Sequence, residues 1–151
     1  MRNEIDSLIK EALKNGEKDR LETFRAIKTA FVVYTSQGKN FEMTDSVELD
    51  ILRTLIKQRE KSAKEYRDAG REDLESKELT EIEIIKEFVP KEPGREEIIE
   101  VIKDCDDSYI TADGKIEIQK KVMGNVMKFC KTKLPSASGK LISDIIKEFL
   151  V

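Results

Sequence analysis

DSVELDILRTLIKQREKSAKEYRDAG, residues 45–70, carries its apolar residues at helical spacing rather than in strand alternation. At 100° per residue, Leu52, Leu55, Ile56, Ala63 and Tyr66 fall on one side. Asp45 with Glu48 three residues later reads as a capping box that opens this helix, and Gly70 closes it. Outward from it the same period recurs. A first helix spans about residues 3–15 and ends near Gly16. A second runs from Lys18 to Tyr34, with Leu21, Phe24, Ile27 and Phe31 on one side; TSQGKNFEMT (35–44) follows as a loop. A fourth helix spans about Glu72 to Phe88 and stops before Pro90.

VPKEPGREE (89–97), with two prolines and a glycine, reads as a domain boundary. Beyond it come a short helix near 95–104, a loop through DDSYITADGK (106–115) and a helix from Ile118 to Lys131. The loop TKLPSASG (132–139) leads into a last helix that reaches the C-terminus. The expectation is an all-α protein: a four-helix domain over 1–90, then a small three-helix domain over 91–151.

Charged residues make up 39% of the chain and aromatics 6%, with a net charge of −3 and no histidine. Lacking imidazole, the chain excludes Ser-His and Cys-His nucleophile pairs and every metal site that needs a histidine. Cys105 and Cys130 lie far apart, outside C-x-x-C spacing, and read as buried or incidental thiols. No metal and no cofactor is expected. No apolar run is long enough to span a bilayer, and the early acids Glu4 and Asp6 argue against a signal or transit peptide. A cytoplasmic protein with no membrane partner is expected.

Charge distribution says more than the total. Residues 92–113 sum to about −6 and residues 115–147 to about +6. On the helix expected over 118–131, Val122, Met123, Val126, Met127, Phe129 and Cys130 form the apolar sector. Lys121, Lys128 and Lys131 lie across from it, with Lys120 beside them. Gly124 sits among the lysines, although glycine costs a helix interior roughly 1 kcal/mol relative to alanine. Two readings stand. Either Gly124 lowers the basic surface so that a phosphate backbone can approach, with Asn125 offering a hydrogen bond, or it serves packing or is merely tolerated.

Helix 45–70 carries a second basic face: Arg53, Lys57, Lys61, Lys64, Arg67 and Arg71 fall within about 120°. It reads either as an anion-binding stripe or as a solvated face moderated by Glu60, Glu65 and Asp68. Arg59 projects into the apolar side, where an arginine needs a carboxylate. Glu78, Glu81 and Glu83 of the next helix are the nearest suppliers, for a structural ion pair or, less simply, a catalytic one. SASGKLI (136–142) is no phosphate-binding P-loop, because Leu134 stands where its first glycine belongs and Leu141 where it needs Ser or Thr. Ser136 or Ser138 reads instead as the cap of the last helix.

KQREKSAKEYRDAGREDL (57–74), EIEIIKEFVP (81–90), KVMGNVMK (121–128) and SGKLISDIIKEFL (138–150) together resemble the GatB/YqeY family, as does KDRLETFRAIKTAF (18–31). The chain looks like a free-standing YqeY-like protein, since the catalytic portion of GatB is missing. The resemblance implies a four-helix domain followed by a three-helix one. It also implies a tRNA contact through Lys121, Gly124, Lys128 and the Gly139–Lys140 turn, because the related tail domain of the amidotransferase B subunit helps hold tRNA. Its family label is carbon–nitrogen ligase activity with glutamine as amide donor, although no catalytic constellation is visible here. One departure is CKTKLPSASGK (130–140), where Pro135 stiffens a turn that is glycine- and lysine-rich in relatives.

Three functions compete: a tRNA-binding accessory module linked to tRNA-dependent amidation; an adaptor docking amidotransferase subunits or other translation proteins; and a stand-alone amidase or amidotransferase.

Overall fold

The computed structural model describes residues 1–38 and 40–151, with Asp107 described by its backbone alone. Lys39, inside the expected 35–44 loop, lies outside the described residues. Seven α-helices and no strands form among them: α1 (Ile5–Asn15), α2 (Lys18–Thr35), α3 (Asp45–Asp68), α4 (Glu72–Lys86), α5 (Arg95–Lys103), α6 (Met123–Lys133) and α7 (Gly139–Lys147). The chain divides into two compact units, Met1–Pro90 and Lys91–Val151.

In the first unit, α1–α4 enclose Ile5, Ala12, Phe24, Ile27, Phe31, Leu52, Ile84 and Ile85. Phe24 meets Phe88 edge to face at 5.7 Å, and the Arg20 guanidinium covers the Phe24 ring while bonding Glu87 at 2.8 Å. The capping box expected at Asp45 and Glu48 is not what opens α3. Thr44, one residue earlier, is the cap: its hydroxyl accepts from Val47 N at 3.2 Å. Glu48 is buried instead, its carboxylate 2.9 Å from the Met1 amine and accepting from Arg2 N at 3.2 Å. A partner 46 residues away outbids the local cap for that side chain.

The second unit gathers Ile98, Ile102, Ile118, Val126, Cys130, Ala137, Ile142, Ile145 and Ile146 into its core. The helix expected from Ile118 begins only at Met123, after a 3₁₀ turn at Lys120–Val122. Ile118 N donates to Phe149 O at 2.8 Å and Val151 N donates to Ile118 O at 3.1 Å, which holds Ile118 extended. The same bonds draw Phe149 and Leu150 out of α7, so the last helix stops at Lys147 rather than at the C-terminus. Ser138 caps α7, accepting from Leu141 N at 3.2 Å. Ser138→Ala should therefore lower the stability of this unit by about 1 kcal/mol, measured by denaturant unfolding.

Burial pushes the Cys130 thiol up to about 11, and Cys130 has no exposed surface. In the native protein it should resist thiol-modifying reagents at pH 8, reacting only as the unit unfolds.

Candidate nucleic-acid interface

Because α6 starts at Met123, Gly124 stands in its first turn, not in a helix interior. Glycine is cheaper there, since the first N–H groups have no full intrahelical ladder to hold them. Gly124 is exposed, and a Cβ built on it meets nothing within 4 Å, so no packing contact requires the glycine. Gly124→Ala should raise helix stability by up to about 0.5 kcal/mol in thermal melts.

Met123 and Met127 turn toward the core, while Asn125 and Lys128 are exposed beside Gly124. Lys120 and Lys121, also exposed, occupy the 3₁₀ turn that leads into the helix. Lys131, half-buried, closes the row at the far end of α6. Its side chain lies over Gly139: a Cβ there would stand 3.1 Å from Lys131 Cε and 3.3 Å from Nζ. Lys131 thus joins the first turn of α7, next to the exposed Lys140. From residue 121 to 131 the row runs about 15 Å along the chain at helical rise.

The electrostatics of the helix starts separate this region from the rest. A helix N-terminus carries partial positive charge and favours acids. In α1–α5 the first turns carry Asp6, Asp19, Asp45 with Glu48, Glu72 with Asp73 and Glu75, and Glu96 with Glu97. The first turns of α6 and α7 carry no acid. Lysines stand there instead: Lys120 and Lys121 before α6, Lys140 in α7. No side chain caps α6. At α7 an acid already sits at the positive end, since Ser138 N donates to Glu92 Oε1 at 3.1 Å; at α6 the positive end and the lysines together favour an anion. This signal lay in the sequence at positions 120–125 and 139–142, but it emerges only once the helix starts are fixed.

The second basic face is less continuous. Lys57, Lys61 and Lys64 are exposed on α3. The Arg53 side chain is only 12% exposed and lies 3.7 Å from Asp50, so it adds nothing to an open face. Arg71 has left α3 for the start of α4, where it holds Asp73 at 3.1 Å through two nitrogens. Arg59 Nε donates to Glu81 Oε2 at 2.8 Å, and Nη1 donates to Leu55 O at 3.3 Å; the Arg59 and Glu81 side chains are each 12% exposed. Burial and the neighbouring Glu81 charge raise the Glu78 carboxyl above its ordinary range, whereas Glu83 faces away and pairs with Lys86 at 3.0 Å.

No helix among the described residues is long and apolar enough to cross a membrane. The chain is 30% identical over 125 residues to altered inheritance of mitochondria protein 41, mitochondrial, of Pyrenophora tritici-repentis. The match covers 82% of this chain and 67% of that protein. The family described as Yqey-like protein matches residues 2–150. A match over nearly the whole length assigns the chain to the YqeY-like protein family.

Proposed function

We propose that the protein is an accessory module that binds tRNA, in support of tRNA-dependent amidation in cytoplasmic translation. Its RNA-facing surface would be the lysine side of α6 together with the start of α7. One observation carries the reading: among the described α-helices, α6 and α7 lack first-turn acids and carry lysines in or just before those turns, with Glu92 reaching α7 at its cap. Gly124, with open space above it, adds a place where a backbone phosphate can come close. Lys120, Lys121, Lys128, Lys131 and Lys140 supply the neutralising charge, and Asn125 a hydrogen bond. The test is a gel-shift titration of purified protein with tRNA at several salt concentrations. Binding should weaken steeply with salt, with a log–log slope of about −3 to −5 if most of the five lysines meet phosphates. No shift at low salt would end the reading.

A second reading, an adaptor that docks an amidotransferase subunit or another translation protein, has its own support in the first unit. A groove of about 580 Å³ between α2 and α3 is lined by Val33, Tyr34, Ile51 and Leu55 among others, and Val33 is 56% exposed. Co-purification of such a protein, lost on Val33→Glu but kept on Lys128→Glu, would favour this reading over RNA contact.

A further inference from the structure

A second concave site in the C-terminal unit involves no residue of α6. Side chains of α5, of the turn before Ile116 and of the segment after α7 line a groove of about 400 Å³. That lies within the range of small-molecule sites. Its floor is apolar: Ile99, Ile116 and Phe149, all half-buried. Its rim is cationic: Arg95, Lys103 and Lys115. Among the described residues that line it there is no carboxylate.

Each wall is held by backbone. Arg95, Ile99 and Lys103 are successive i, i+4 positions on α5, so a cation stands one turn to either side of the isoleucine. The adjoining face of α5 is anchored by the fully buried Ile98 and Ile102. Lys115 and Ile116 sit on a pinned turn. Thr111 N donates to Lys115 O at 2.8 Å, Gly114 N donates to Thr111 O at 2.8 Å, and Gly114 takes the φ of 79° that closes it. Phe149 is fixed through its carbonyl, which accepts from Ile118 N. A groove so held needs little ordering before a ligand enters.

The three cations have exposed counter-ions: Glu148 for Arg95, Glu100 for Lys103 at 2.7 Å and Asp113 for Lys115 at 2.7 Å. Exposed pairs of this kind contribute little, so an anion seated over the apolar floor can replace them. Isoleucine and phenylalanine offer no hydrogen-bond partners, so a nucleobase would lose its edge contacts there. An acyl or aryl body loses none.

We infer that this groove binds a small amphipathic anion, its acyl or aryl body against Ile99, Ile116 and Phe149 and its carboxylate or sulfonate head between Lys103 and Lys115. The inference goes beyond RNA binding and does not depend on it. Decanoate and anilinonaphthalene sulfonate are the probes, titrated into the full chain with calorimetry and amide chemical-shift mapping. Each should bind as a single equivalent with a dissociation constant of roughly 100 µM, ordinary for ligands of this size. Shifts should centre on residues 95–103 and 111–116. Lys103→Glu with Lys115→Glu should weaken binding by about tenfold or more, while Lys128→Glu leaves it unchanged. No binding at millimolar probe, unchanged affinity in the Lys103/Lys115 variant, shifts centred on the α2–α3 groove, or equally tight binding of adenosine monophosphate would each overturn the inference.

Discussion

Arg59→Ala is expected to destabilise the N-terminal unit by about 3 kcal/mol, because it strands the Glu81 carboxylate against a largely buried surface. For a unit of this size that lowers the melting temperature by about 12 °C or more. The geometry explains the size. Arg59 reaches Glu81 at 2.8 Å and also donates to Leu55 O, so one substitution leaves both a carboxylate and a carbonyl without that donor. The acidic stretch around Glu78 then loses the Arg59 charge that offsets it from α3, and Glu78 is already raised by burial and by Glu81. Removing both charges together is a different perturbation. Arg59→Met with Glu81→Leu exchanges the pair for apolar volume and should restore most of the lost stability. Thermal unfolding of the two single variants and the double variant decides the matter. An unchanged melting temperature in Arg59→Ala would contradict the role given to the pair.

Gly124→Glu is expected to reduce tRNA affinity by about a hundredfold at low salt, with the fold intact. The new side chain enters open space, so it has nothing to displace and no reason to unfold α6. An acid in the first turn would even suit the helix dipole. Its effect on a polyanion is the reverse, since it places negative charge in the middle of the lysine row. Gly124→Ala separates charge from shape: a slightly more stable helix, with affinity lowered only a few-fold if a phosphate backbone must come close. Circular dichroism melts beside gel-shift titrations report both effects. Intact affinity in Gly124→Glu would remove Gly124 from the interface.

What could be read in the sequence follows from how local each interaction is. The helical period of 45–70, and the placement of Arg59 on its apolar side, need only neighbours three and four residues away. Choosing among Glu78, Glu81 and Glu83 needs the register of α4 on α3, which spacing alone does not supply. The cap of α3 is Thr44 rather than Asp45, because Glu48, a plausible local cap partner, is drawn to the Met1 amine. α6 starts five residues later than the period alone suggests, because Ile118 is claimed by Phe149 and Val151, about thirty residues on. The later start matters for the site, since it places Gly124 in a first turn rather than in a helix interior. The lysine row was visible at positions 120–131; its junction with Gly139 through the Lys131 side chain was not. The groove over Ile99, Ile116 and Phe149 draws on three separate segments and leaves no periodic trace.

The most direct test of the central claim is an amide chemical-shift titration of the labelled protein with tRNA at low salt. The account predicts progressive shifts or broadening at Lys120–Lys131 and Gly139–Lys140, reversed by added salt. Perturbations confined to Lys57, Lys61 and Lys64 of α3, or none anywhere, would contradict it.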